Sequence, residues 1–173
     1  MKKLIIIALF WLFPVLLSAQ KTPLNTFFDK YSGQEGYTSI YITKYLFQMF
    51  AKISNEKEDK EFKEVTSKLN AIKILSIDSA VNLVKKVDFA TELKKILPSP
   101  EYADLMVIKE GKKTINFMIK EKNDKISELV MTVSGPGEQV LIFLEGDIDL
   151  ASMSKLSRTM NIDGFEHLKD VKE

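Results

Sequence analysis

The sequence predicts an α+β domain: a single, mainly antiparallel sheet with a C-terminal four-strand meander and helices packed on one face. Three observations predict it. Apolar residues recur at helical spacing through much of residues 22–97. Between Tyr102 and Glu145 the spacing drops to two, the period of a strand with one buried face. Short turn signals divide that second half (Glu110-Gly111, Asn123-Asp124 and Gly135-Pro136-Gly137), and turns this short join antiparallel neighbours.

The first twenty residues read as a leader. Lys2 and Lys3 give a positive start, Leu4 to Leu17 is almost wholly apolar, and Ser18-Ala19-Gln20 is small and polar. The apolar run is about fourteen residues, where a spanning helix needs roughly 20, and Pro14 breaks it near its end. A signal peptide over residues 1–20, cut after Ala19 or Gln20, is therefore expected. The exported chain would then be one α+β domain over residues 21–173, with no stable transmembrane anchor after cleavage. A lipid anchor on cysteine is excluded, because the chain has no Cys. Cleavage would also remove Trp11, the only tryptophan.

Each element has a local reason. Thr22-Pro23 suits a helix start, and Leu24, Phe27, Phe28 and Tyr31 form its apolar stripe, ended by Gly33 and Gly36. Tyr37 to Ile42 is aromatic and β-branched and reads as a strand. Thr43 caps a second helix, expected to be well buried because Leu46, Phe47, Met49, Phe50 and Ile53 leave it a narrow polar face. Glu56 to Asp59 is a charged connection, and Phe62, Val65 and Leu69 mark a third helix. Ala71 to Ile77 is a buried strand. A long helix follows from Asp78 or Ser79, with Val81, Val84, Val87, Phe89, Leu93, Ile96 and Leu97 inward and a shift of stripe near Asp88 where it breaks or bends. Pro98-Ser99-Pro100 stops it.

The meander strands are Tyr102 to Lys109, Thr114 to Lys120, Ile126 to Ser134 and Gln139 to Glu145. Val140 to Leu144 is apolar on both sides, so the last strand is expected to be central or covered on both faces. Asp149 or Ser152 caps a short final helix to about Arg158, and the tail from Asn161 is polar.

Composition narrows the chemistry. Without Lys2 and Lys3, the 25 basic residues become 23 against 24 acidic ones, a net charge of −1. Arg158 is the only arginine, so neither nucleic acid nor clustered phosphate is an expected partner. The single histidine, His167, lies near the end of the chain and reads as idle, which removes histidine triads and histidine metal sites. Absence of Cys removes thiol nucleophiles and disulfides. No Ser sits in a Gly-x-Ser-x-Gly elbow, and Gly135-Pro136-Gly137 lacks the Lys-Ser/Thr of a phosphate loop.

Gly36 to Phe47 (GYTSIYITKYLF), Ile72 to Ser76 (IKILS), Ile126 to Val130 (ISELV) and Gly146 to Leu150 (GDIDL) stand in an order and spacing that resemble domain of unknown function family 4252, small secreted bacterial proteins. The resemblance implies export and an α+β fold. It also implies a setting beside extracytoplasmic-function sigma factors, hence envelope signalling. It carries no catalytic residue.

Three groups of residues are worth following. Glu145, Asp147 and Asp149 would put carboxylates on one side of a continuing strand, a set of oxygen ligands suited to calcium; against it, Gly146 ends the strand and an aspartate caps the next helix. Tyr37, Tyr41 and Tyr45, spaced by four, could offer an aromatic interaction surface, although a strand passing into a helix breaks the alignment after Tyr41. Phe47, Met49 and Phe50 could line an apolar pocket, with core packing as the plainer role. No cofactor is expected. The leading expectation is an exported, non-catalytic interaction or signalling module of the bacterial cell envelope, periplasmic or extracellular, with an unknown envelope protein as partner. A carrier of an apolar small molecule comes second, and an enzyme using carboxylates or a metal third.

Overall fold

The computed structural model of the chain describes residues 21–53, 63, 66–98 and 100–150. Readings that fall on residues 1–20, 54–62, Val65 and 151–173, Arg158 and His167 among them, lie outside the described residues.

Helix α1 (Pro23–Tyr31) starts as its sequence dictates. Thr22 accepts the Asn25 N–H at 3.2 Å, proline occupies the first turn, and Leu24, Phe27, Phe28 and Tyr31 are buried. Strand β1 (Tyr37–Thr43) leads directly into helix α2 (Lys44–Ile53), and β2 (Leu69–Ile77) follows. Leu69, read from its spacing as helical, instead opens β2 and is fully buried. The long helix over residues 79–97 is two helices, α3 (Ser79–Lys85) and α4 (Phe89–Ile96). The break has a visible cause. Lys86 is left-handed (φ 52°), the buried Asn82 side chain accepts the Val87 N–H at 2.9 Å, and Asp88 caps α4 by accepting the Thr91 N–H at 3.1 Å. Val84, read as part of the inward stripe, is consequently exposed on α3.

Strands β3 (Tyr102–Glu110), β4 (Lys113–Lys122), β5 (Lys125–Ser134) and β6 (Gln139–Ile148) form the meander. Asn123 and Asp124, both with positive φ, make the two-residue turn between β4 and β5. Pro136 and Gly137 (φ 76°) occupy the central positions of the turn closed by Gly135 and Glu138, whose backbone groups bond each other at 2.9 and 3.1 Å.

All pairings are antiparallel, in one six-stranded sheet of order β1-β2-β6-β5-β4-β3. The N-terminal β1–β2 pair and the C-terminal meander join where β6 lies beside β2. β6 is therefore interior, as its two-sided apolarity requires. Closure brings the backbones close: a Cβ on Gly146 (φ 150°) would meet the Lys68 carbonyl oxygen and come within 2.8 Å of the Leu69 Cα.

The placement of helices on one face needs correction. On one face, α1 and α4 pack Leu24, Phe27, Phe28, Phe89 and Leu93 against Leu75, Met118, Val130, Leu141 and Phe143. On the other, Phe47 of α2 joins Leu69, Ile72, Phe117, Leu129, Met131, Ile142 and Leu144. The physical reason is the strands themselves. β4, β5 and β6 carry apolar side chains on both sides, so both faces must be covered. Phe89 centres the first face. Its ring meets Phe27 edge-on at 5.6 Å and Tyr31 at 5.5 Å, pairs that add about 0.5–1.5 kcal/mol each beyond their buried area.

Candidate functional site: an uncharged sheet edge and a polar row

β1 and β3 are the two outer strands of the sheet. The sequence YTSIYIT gives β1 no charge and no proline, and its register with β2 runs unbroken from Tyr37–Ile77 to Thr43–Ala71. One step beyond that ladder, Asp78 N–H donates to the Gly36 carbonyl at 2.8 Å. This fixes the phase. Even-numbered residues of β1 bond to β2, and Ser39, Tyr41 and Thr43 turn their backbone groups outward. The Tyr37 N–H is already taken by the Gln34 carbonyl at 3.1 Å, which leaves the Tyr37 carbonyl facing out.

Apolar side chains surround this edge. Ile40 and Tyr41 on β1 are 45% and 58% exposed, and Tyr45 and Met49 on α2 are 77% and 53% exposed. Leu46 is exposed beside them. The expectation of a well-buried second helix is thus overturned: among its residues with described side chains only Phe47 is buried, because α2 touches the sheet at its margin, against β1 and β2. The imagined lining of Phe47, Met49 and Phe50 is divided for the same reason. Phe47 enters the core, Met49 faces out, and the Phe50 side chain lies outside the description.

The three spaced tyrosines take three environments. Tyr37 stacks on Tyr31 at 5.0 Å, with the Lys85 ammonium 4.9 Å from its ring. Tyr41 shares that face of β1 and has the Lys73 ammonium 4.9 Å from its ring. Tyr45 leaves the alignment because the chain has become helical.

Behind Tyr41 lies a polar row that the sequence reading passed over. Lys73 is only 8% exposed. It donates to the Asn25 side-chain oxygen and lies among the rings of Phe28, Tyr41 and Phe143. Cation–π attraction to several rings offsets part of the cost of burying an ammonium group. Asn25 then donates to Glu145 at 3.2 Å. Glu145 stands opposite Glu128, Glu128 opposite Lys120, and Lys120 opposite Tyr102, so a single line of cross-strand neighbours spans four strands. Tyr102 donates to the nearly buried Glu128 at 2.5 Å, and Lys120 pairs with Glu101 at 2.8 Å. Burial, then the Glu128 carboxylate, pushes the Tyr102 hydroxyl far above its usual value. The bond to Glu101 raises Lys120. Both shifts lead away from neutrality, so neither group exchanges protons near pH 7. The row works as a fixed clasp that ties β3 and α1 to the sheet.

Of the three acidic residues, Glu145 belongs to this row, while exposed Asp147 pairs with Lys125 at 2.6 Å. The strand does not end at Gly146 but runs through it to Ile148. Asp149 follows that strand. Among the described residues no group of three or more acidic or histidine side chains could hold a metal ion. One signal for the row was present in the sequence: a lysine inside the apolar run AIKILSI. Nothing in linear spacing connects it to Asn25.

A family model described as Domain of unknown function (DUF4252) matches residues 31–156. That span runs from the end of α1 through all six strands. No curated protein and no solved structure matches the chain. Among the described residues no helix is long and apolar enough to cross a membrane.

Proposed function

The chain belongs to the DUF4252 family, and from that premise we propose that it is an exported, non-catalytic interaction module of the bacterial cell envelope, which engages a protein through the β1–α2 margin of its sheet. One observation carries this reading. The margin combines outward backbone groups on an uncharged strand with exposed Ile40, Tyr41, Tyr45, Leu46 and Met49. Single exposed apolar residues are ordinary, but several flanking one outer strand whose backbone groups turn outward make a surface suited to a protein partner. Export rests on the composition of residues 1–20 alone.

The test uses the full chain in its own host. A photo-crosslinking residue in place of Tyr45 or Met49 is expected to yield discrete protein adducts in intact cells, and one in place of exposed Glu121 is expected to yield none. Equal, diffuse labelling from all three positions would remove the proposed surface. The intact mass of protein recovered from the envelope fraction reads the leader independently: a chain beginning at Gln20 or Lys21 is expected, and one retaining Trp11 overturns export.

A further inference from the structure

We infer that the β1 edge pairs with the β1 edge of a second copy of this chain, antiparallel and two-fold about Ile40, to make one sheet continuous across both copies. The inference rests on the β1–α2 margin being an interaction surface and names its occupant.

The outward groups select the register. For every outward residue to meet an outward residue, odd-numbered positions must face odd-numbered positions, and centring the pairing on Ile40 engages the whole strand. Ser39 of each copy then exchanges both backbone bonds with Tyr41 of the other. The Thr43 N–H donates to the Tyr37 carbonyl of the other copy. The Tyr37 N–H, which this register would aim at the opposing Thr43 carbonyl, is already bonded to Gln34. The opposing Thr43 carbonyl precedes the first residue of α2, where a carbonyl takes the first helical bond. Donors and acceptors therefore match without a remainder.

The side chains match as well. Ile40 meets Ile40 at a non-hydrogen-bonded position, where Cα atoms approach to about 4.5 Å, and exposed Thr38 lies opposite Ile42. Because β1 is uncharged, no like charges oppose each other. At each end, exposed Lys44, which follows Thr43, comes to the end of the other strand that exposed Glu35 and Gly36 precede, which brings opposite charges to both ends by symmetry. The other edge could not pair in this way. β3 carries Asp104, Lys109 and Glu110, and its ladder is broken between Asp104 and Met106.

The experiment is sedimentation equilibrium on the mature chain, with cysteine crosslinking beside it. Wild type is expected to be a reversible dimer. Ile40→Lys and Ile40→Glu, each keeping the wild-type circular dichroism and melting temperature within a few degrees, are each expected to weaken the dimer about tenfold or more, and an equal mixture of the two to restore it. Ile40→Cys is expected to form a disulfide-linked dimer in air, since the chain has no other cysteine. Ile42→Cys, which faces Thr38, is expected to link far less by itself and to link readily when mixed with Thr38→Cys. A wild-type monomer at millimolar concentration, or a dimer indifferent to Ile40→Lys, overturns self-pairing. If photo-crosslinks from Tyr45 still capture a different protein, the interaction surface stands and only its occupant is wrong; if they capture nothing discrete, both readings fall.

Discussion

The two edges of this sheet are built on opposite principles. β3 is guarded by charged residues and a bulge, and Tyr102 at its start is clasped to Glu128. β1 pairs in unbroken register, is neutral and is bordered by exposed apolar side chains. Outer strands left open invite another strand, and proteins usually blunt them. Among the described residues one edge is blunted and the other is not, and this contrast is the ground for placing the proposed interaction surface at β1 rather than at β3.

The comparison can be broken or sharpened by substitution. The largest effect is expected under β1, where Phe89 supports Tyr31 and Tyr37 from below. Phe89→Ala should cost about 3–5 kcal/mol in urea unfolding, since the ring is fully buried. If the loss is below ~1 kcal/mol, the first face is not the anchor of that edge. At the β3 side, Tyr102→Phe strips the nearly buried Glu128 carboxylate of its phenol donor and should cost about 1.5–3 kcal/mol. The same variant should lose less stability than wild type above pH 10. A folded-state value raised above the usual tyrosine range gives stability that is present below pH 10 and lost as pH rises past it.

A smaller effect is expected at acid pH near β1. Burial raises Glu92, but bonds from Tyr31 at 2.7 Å and Lys30 at 2.9 Å outweigh it and hold its carboxyl below 4.5. That contribution is therefore present above pH 4.5 and lost as pH falls through the lowered value. Glu92→Gln should cost about 0.5–1.5 kcal/mol at pH 7 and little at pH 3, read from urea midpoints at both. A deficit that is the same at both pH values would remove the ionic component. The smallest stability change separates the edges most cleanly. Ile40→Lys and Val107→Lys, both at exposed positions, should each lie within about 0.5 kcal/mol of wild type, yet only the former should alter self-association in light scattering.

Much of the fold was legible because local chemistry and tertiary packing agree. Thr22-Pro23 starts α1, Asn123-Asp124 turns the β4–β5 hairpin, and the two-sided apolarity of Val140 to Leu144 places β6 inside the sheet. Where the reading failed, packing overrode pattern. Leu69 fits a helical stripe yet begins β2, and α2 is apolar at most positions yet lies at a margin where, of its described side chains, only Phe47 is in the core. Apolar content states how much surface would gain from burial but not whether the fold brings a partner surface to it. The polar row was illegible for a related reason. Glu128 and Glu145 are neighbours only through the β5–β6 register, and Asn25 reaches Lys73 across 48 positions of chain.

The sequence by itself determined most of the elements, their turns, the antiparallel meander and the missing reactive residue types, because these depend on backbone preference and on side-chain identity within a few positions. Only the tertiary structure decided that both faces are covered, that β6 closes on β2, and that β1 is an outer strand with no further strand beside it among the described residues. Those outcomes depend on contacts between distant segments, and a side chain's local spacing records which way it points along its own strand or helix but not what stands opposite.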